Sequence, residues 1–170
     1  SLQNSEALKE NIKLATGSAL KATSLSPNRA AAWEALGAAY REIQSVSGAS
    51  DFAVNAFEKA VSLEPLNPGL HTELGKIYAR RNDLEKAREQ FQKALALDPF
   101  FATAQIETAL LLEKEGKAEE ALILLGQVAI RSSDERVFVQ LGRMYYKKKR
   151  YLEEISQFDR ALVYKETDSD

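Results

Sequence analysis

The 170-residue sequence contains no cysteine, one histidine, one tryptophan and four prolines. Without cysteine the chain can form no disulfide and has no thiol chemistry, and a single histidine argues against a zinc site built from its own side chains. Lysine and arginine together number 23 against 25 acidic residues. No excess of positive charge is therefore available to bind phosphate backbones, and nucleic acid is not expected as a partner.

Long apolar runs are also missing. Stretches such as residues 121–125 are far shorter than the roughly 20 residues that span a bilayer, so we expect no membrane insertion. No signal peptide pattern opens the chain. The sequence begins at Ser1 without methionine and looks like a piece of a larger protein, so the compartment stays open: cytoplasmic, or extracytoplasmic if the parent is a membrane protein.

A pattern with a period of about 34 residues runs through the chain. It begins with Trp33-x-x-Leu36-Gly37-x-x-Tyr40, after which small and aromatic residues recur at steps of four and three. Equivalent large residues are Phe57, Phe91, Leu125 and Phe158, and equivalent small residues are Gly37, Gly75, Ala109 and Gly142. Such self-similarity predicts a helical-repeat array.

Each repeat is expected to contain two helices, A and B. The spacing i, i+3, i+4, i+7 puts Trp33, Leu36, Gly37 and Tyr40 on one stripe of helix A. Glycine inside a helix costs roughly 1 kcal/mol relative to alanine, so its recurrence on the packed stripe needs a compensating gain. Close approach of helix B supplies that gain.

Prolines and capping residues mark the helix ends. Pro27, Pro65 and Pro99 each follow a helix B, which they terminate. Asn67-Pro68 predicts an N-cap followed by proline in the first helical turn. Ser132 and Glu135 predict a capping box for the last helix A.

These motifs resemble the tetratricopeptide repeat, and the resemblance covers nearly the whole chain from Ala30 onward. It implies an all-α fold, a right-handed superhelical array of antiparallel helix pairs with about four and a half repeats. Within this single domain we predict a half repeat at residues 1–29, which holds only a helix B, and repeat 1 at residues 30–67, with a four-residue insertion near Ser45–Ser50. Repeat 2 follows at residues 68–101, a degenerate repeat 3 at residues 102–134 and repeat 4 at residues 135–170. A weaker resemblance links the lengthened turn and residues 57–68 to repeat segments of bacterial membrane glycan polymerases.

By this resemblance, the stripe one residue round from the packed stripe of each helix A lines a concave, peptide-binding groove. The predicted groove residues are Arg41, Thr72, Lys76, Arg80, Ile106, Leu110, Val139, Arg143 and Tyr146. An apolar patch of Ile106, Leu110 and Val139 among cations would suit a segment with apolar and acidic side chains. The alternatives are core packing for Ile106 and Val139 and simple solvation for the charged residues.

Self-association is the alternative function. Ile123 and Leu124 fall outside the packed stripe of their helix B, and Ile155 and Leu162 have no further helix to cover them, so these four residues are candidates for contacts between copies. His71 stands at the position of Trp33, and we interpret it as a packing residue. No nucleophile, base and orienting group converge, so neither an enzyme nor a cofactor is expected. The sequence predicts a protein or peptide partner, with a homo-oligomer possible.

Overall fold

The computed structural model describes residues 14, 16–43 and 46–147, and in these ranges the regular secondary structure is helical throughout. The helices are α1, described over residues 16–25, α2 (Ala30–Glu42), α3 (Ala49–Leu63), α4 (Pro68–Arg80), α5 (Leu84–Leu97), α6 (Ala102–Lys114), α7 (Ala118–Ala129) and α8 (Glu135–Lys147). The prediction of an all-α helical-repeat array is thereby confirmed. None of the helices in these ranges has the length and apolarity to cross a bilayer.

The chain forms two compact parts, Ser1–Lys93 and Ala94–Asp170, and the division falls within α5. In the N-terminal part α2 packs against α3, and α3 packs against α4. In the C-terminal part α6 packs against α7, while α8 packs against both. A helix pair followed by the A helix of the next repeat therefore occurs in each part.

The glycines of the A helices lie directly against phenylalanine rings of the B helices. A Cβ atom built on Gly37 would lie 2.4 Å from Cδ2 of Phe57, and one built on Gly75 would lie 2.5 Å from Cε1 of Phe91. Both distances are far below van der Waals contact, so no larger residue fits without movement. The predicted close approach of helix B is confirmed in both repeats.

The third repeat reaches the same packing with different residues. Ala109 and Leu125 stand at the positions of the glycine and phenylalanine, and both are completely buried. They belong to a core cluster shared by α6, α7 and α8, which also includes Phe138 and Leu141. A slightly larger helix A residue thus faces a smaller helix B residue, which keeps the space filled.

Helix α1 contributes to the core of the N-terminal part. Ala19, in α1, is buried in one cluster with Leu36 of α2 and Ala56 of α3. This is the place expected for the B helix of the half repeat. At the other end of the chain, Phe158 and the predicted B helix of repeat 4 lie outside the described residues.

The turns inside the helix pairs differ in length. The connection between α2 and α3 covers residues 43–48, whereas those after α4 and α6 cover residues 81–83 and 115–117. The extra residues of repeat 1 therefore lie in this connection and in one added residue at the start of α3. Among the described residues, each turn has one residue at positive φ, namely Gly48, Asn82 and Gly116.

Two predicted helix caps have different outcomes. The Asn67 side chain accepts hydrogen bonds from the backbone N–H groups of Gly69 (3.0 Å) and Leu70 (3.4 Å), so this N-cap is confirmed. The capping box of Ser132 and Glu135 is wrong, because α8 begins only at Glu135. Ser132 Oγ instead accepts from the N–H of Asp134, whose carboxylate accepts from the N–H of Arg136 at 2.9 Å.

Candidate interaction faces

The A helices of the C-terminal part present one continuous surface, which we call the α6–α8 face. On α6 the stripe consists of Thr103, Ile106, Leu110 and Glu113, and on α8 it consists of Arg136, Val139, Arg143, Tyr146 and Lys147. Residues three or four apart lie on the same side of a helix. The two stripes run side by side, because side chains join them at both ends.

Ion pairs close one end of the α6–α8 face. Arg143 Nη2 donates to Glu113 Oε2 at 3.0 Å, and Lys147 Nζ donates to Glu113 Oε1 at 2.6 Å. The Glu113 side chain is 18% exposed, whereas those of the two cations are about half exposed. At the other end Arg136 Nη2 donates to Thr103 Oγ1 at 3.2 Å. A single carboxylate thus holds two cations of the face.

The corresponding surface of the N-terminal part is the α2–α4 face. Arg41 of α2 donates to the carboxylate of Glu73 on α4, and Lys76 Nζ donates to the same carboxylate at 2.6 Å. Arg41 also contacts Glu42 at 3.2 Å. Arg80 follows one turn later on α4 and is exposed. This face is therefore polar and richer in cations than in carboxylates.

The predicted groove residues differ in exposure. Thr72 and Ile106 are 1% and 5% exposed, so they offer no side-chain surface to a ligand. Thr72 Oγ1 donates to the carbonyl of Pro68. Ile106 belongs to the core cluster of the C-terminal part, in agreement with the alternative that this residue packs in the core. The others retain accessible surface, partly buried at Arg41, Lys76 and Leu110 and exposed at Arg80, Val139, Arg143 and Tyr146.

The residues predicted for self-association also differ in how exposed their side chains are. Ile123 on α7 is 62% exposed, whereas Leu124 is only partly exposed and packs against the core cluster. Ile130, seven residues after Ile123, is 82% exposed and was not predicted. Ile130 directly follows the last residue of α7 and keeps right-handed helical backbone angles (φ −66°, ψ −27°), so these two isoleucines lie on one side of the helix. Ile155 and Leu162 lie outside the described residues.

The A helices carry a repeated hydrogen bond that the sequence analysis missed. Trp33 Nε1 donates to the carbonyl oxygen of Pro27 at 2.7 Å, and Gln105 Nε2 donates to that of Pro99 at 2.8 Å. In repeat 2 the Nε2 atom of His71 lies 3.0 Å from the carbonyl oxygen of Pro65. The signal was present in the sequence, since each N–H donor stands six residues after a proline that ends a helix B.

His71 is buried, 5% exposed, and both of its ring nitrogens are bonded. Because the Pro65 carbonyl can only accept, Nε2 carries the proton. Nδ1 lies 2.8 Å from Oε1 of the Gln90 side chain on α5. A hydrogen bond there requires either a proton on Nδ1 or a Gln90 amide rotated to present Nε2 to an unprotonated Nδ1. The packing interpretation of His71 agrees with this position.

Within the described ranges, no group of histidine, cysteine or acidic side chains has the arrangement of a metal site. Several charged side chains on the A-helix faces pair with one another, namely Arg41 and Lys76 with Glu73 and Arg143 and Lys147 with Glu113. On α8 these ion pairs lie beside the exposed side chains of Val139 and Tyr146.

Helix pairs that recur with this period, packed through a small residue on A and a large one on B, define a tetratricopeptide repeat domain. The chain belongs to the family of the Cilia and flagella-associated protein 70 middle TPR-like domain, whose sequence profile matches residues 45–166.

Sequence similarity also extends to a curated protein. Anaphase-promoting complex subunit 3 of Schizosaccharomyces pombe is 31% identical over 115 residues, a match that covers 67% of this chain and 17% of that protein. The chain thus spans about a sixth of the length of this curated relative.

Solved structures show the same fold. TTC0263, a TPR protein of Thermus thermophilus, superimposes with a TM-score of 0.76 at 18% identity, over 96% of this chain and 88% of that one. YrrB, described as a TPR protein with an unusual peptide-binding site, gives a TM-score of 0.60 at 22% identity, over 95% and 81%.

Proposed function

We propose that this chain is a non-catalytic interaction module that binds a segment of a partner protein on its α6–α8 face. The main observation in support is that Val139 and Tyr146, whose exposed fractions are 40% and 58%, lie on one stripe of α8 with Arg143. Apolar and aromatic surface beside a cation suits a segment that presents apolar and acidic side chains. Peptide binding by YrrB, on the same fold, supports this proposal.

The ion pairs at Glu113 support the same partner chemistry. Solvent-exposed ion pairs typically stabilise a fold by only about 0–1 kcal/mol, so an incoming carboxylate can replace Glu113 at Arg143 or Lys147 at little cost. The guanidinium of Arg143 can hold a carboxylate through two parallel hydrogen bonds. The two cations are thus kept in position by Glu113 and available to an acidic ligand.

Selection from a displayed random-peptide library tests the proposal. We expect selected peptides to combine acidic with apolar or aromatic residues, and to lose binding to Val139→Glu and to Arg143→Glu while the far-ultraviolet circular dichroism of both variants stays unchanged. Ile123→Glu is the matched control, because it places the same charge at an exposed apolar site on α7. Peptides that bind all three variants as well as the wild type would exclude the α6–α8 face.

A second candidate function is self-association through the outer side of α7. Ile123 and Ile130 are more exposed than Val139, and Arg131 lies over the exposed ring of Phe100, 5.2 Å from its centroid. Accessible apolar rows of this kind mark contact surfaces. Sedimentation across a concentration series should then show dimers that disappear in Ile123→Glu and Ile130→Glu and persist in Val139→Glu. A monomer at all concentrations rejects this candidate.

A further inference from the structure

A small cleft on the N-terminal part has the lining of an anion site. It lies between α2, α3 and α4 and is bordered by Arg41, Ser50, Ala53, Ile77 and Arg80. Its volume of about 10 Å³ holds one water-sized atom. We propose that this cleft, called the Arg41–Arg80 cleft, binds an oxyanion oxygen presented by an acidic side chain of a partner protein.

The donors of the cleft have capacity left for such a ligand. The Arg80 side chain is exposed and, within residues 14, 16–43 and 46–147, its guanidinium has neither a hydrogen-bond nor an ion-pair partner. Arg41 pairs with Glu73 and Glu42, but a guanidinium carries five N–H donors and these contacts do not use them all. The Ser50 hydroxyl adds a third donor, one that rotates toward its acceptor.

The local charge balance favours an added anion. Three cations, Arg41, Lys76 and Arg80, stand on this side of α2 and α4 beside two carboxylates: Glu73 pairs with the first two cations, and Glu42 also pairs with Arg41. The nearby carboxylate of Asp51 is held by Arg81 at 2.7 Å. Two guanidinium groups bordering one cleft repel each other, and an anion between them relieves that repulsion.

The floor of the cleft strengthens these interactions. Ala53 and Ile77 are buried, 1% and 3% exposed, so one side of the bound oxygen faces apolar atoms rather than water. Charge-assisted hydrogen bonds gain strength where the local dielectric constant is lower. An anion here is thus held more firmly than at an isolated surface arginine.

The residues that border the Arg41–Arg80 cleft come from repeat 1 and from the first helix of repeat 2. Counting from the large helix B residue of each repeat, Ser50 is equivalent to Leu84 and to Ala118 in the next two repeats. Counting from the small helix A residue, Arg41 is equivalent to Ala79 and Glu113. The lengthened α2–α3 connection precedes Ser50, so the insertion and the polar cleft occur together. This site therefore does not follow from the repeat pattern.

The choice of a protein carboxylate as ligand rests on the proposed function, whereas the anion site itself does not. The test is a titration of the isotope-labelled chain, followed by nuclear magnetic resonance, with two probes: N-acetylglutamate N-methylamide and N-acetylphosphoserine N-methylamide. We expect saturable shifts at the Arg80 side-chain N–H and at the Ser50 and Ala53 backbone N–H groups. Tighter binding of the glutamate probe supports a carboxylate ligand, and tighter binding of the phosphoserine probe overturns that choice.

Matched variants separate the cleft from general charge effects. Arg80→Gln should weaken probe binding by about five- to tenfold, the loss expected for one charge-assisted hydrogen bond near a surface. Arg80→Lys should retain part of it. Arg29→Gln removes the same charge from an exposed site outside the cleft and should leave binding unchanged. Equal losses in Arg80→Gln and Arg29→Gln, or shifts that do not saturate, would overturn the anion site.

The outcome does not depend on the α6–α8 face. If the cleft binds neither probe while selected peptides still require Val139 and Arg143, only the cleft proposal fails. If the probes bind and no peptide requires those two residues, only the proposed function fails.

Discussion

The ring of Phe91 occupies the space in which a side chain of Gly75 would stand, since a Cβ atom there would lie 2.5 Å from Cε1 and 2.7 Å from Cδ1 of the ring. The same relationship joins Gly37 to Phe57 in the preceding repeat. Glycine therefore occupies the interior of these A helices, despite its low helix propensity, because the phenylalanine ring of helix B fills the space of a side chain.

Gly75→Ala should destabilise the protein by about 1–3 kcal/mol, because the cost of overpacking exceeds the roughly 1 kcal/mol that alanine gains in helix propensity. Gly126 in α7 is the matched control, since a Cβ atom there meets nothing within 4 Å. Gly126→Ala should stabilise by up to about 1 kcal/mol. Urea denaturation followed by circular dichroism measures both, and a stabilised Gly75→Ala variant would contradict the packing argument.

His71→Gln should be nearly neutral, because glutamine at the equivalent position 105 makes the same bond to its proline carbonyl. His71→Leu should cost about 2–4 kcal/mol, since it leaves the Pro65 carbonyl and the buried Gln90 amide without their partner. Thermal denaturation of the two variants under one buffer condition measures the difference. Equal losses of stability would show that shape, and not hydrogen bonding, decides this position.

Tyr78 should make stability fall at alkaline pH. Burial of the phenol, followed by its 2.7 Å hydrogen bond to Glu58 and the charge of that carboxylate, raises the pKa of Tyr78 above its ordinary value near 10. Above pH 10 the unfolded chain releases a proton that the folded chain keeps, so the free energy of unfolding decreases as pH rises. Below pH 10 this contribution is fully present.

Tyr78→Phe tests this linkage. The variant should lose about 1.5–3 kcal/mol at pH 8, the value of one hydrogen bond to a charged group. It should then lose less stability than the wild type between pH 9 and pH 11, because it lacks the titrating phenol. Guanidinium denaturation at the three pH values provides the comparison, and parallel curves for both proteins would refute the assignment.

Glu113→Gln should leave stability within about 1 kcal/mol of the wild type, because its ion pairs involve exposed cations. The substitution removes the carboxylate that competes with an acidic ligand, so peptides selected on the α6–α8 face should bind more tightly, with a steeper dependence on salt. Fluorescence anisotropy at two salt concentrations measures both effects. Weaker binding to this variant would mean that Glu113 itself contacts the ligand.

Much of the fold could be predicted because several independent sequence signals recur with the same spacing of about 34 residues. The glycine on helix A, the phenylalanine on helix B and the proline after it occur together in repeats 1 and 2, and each signal is local in sequence. The capping box failed because the carboxylate of Asp134, and not the hydroxyl of Ser132, accepts from a backbone N–H in the first turn of α8. Spacing alone did not decide which of them begins the helix.

The interaction faces were less accessible to sequence reasoning. Thr72 and Ile106 share the stripe of Lys76 and Leu110, and only packing with other helices distinguishes a buried member from an exposed one. The pairing of Glu113 with Arg143 and Lys147 depends on how closely α6 and α8 approach, which residue spacing does not report. The hydrogen bonds to the proline carbonyls could have been found by comparing donors, since tryptophan, histidine and glutamine share an N–H group.

These three carbonyl bonds bear on how such domains diverge and how they are recognised. An indole, an imidazole and a carboxamide have little in common in volume or polarity, and substitution scores treat exchanges among them as losses. What the three repeats share at this site is a proton donor at one point in space. Sequence searches for degenerate repeats, and designs of new repeats, should therefore give more weight to an N–H donor at this position than to the type of residue that supplies it.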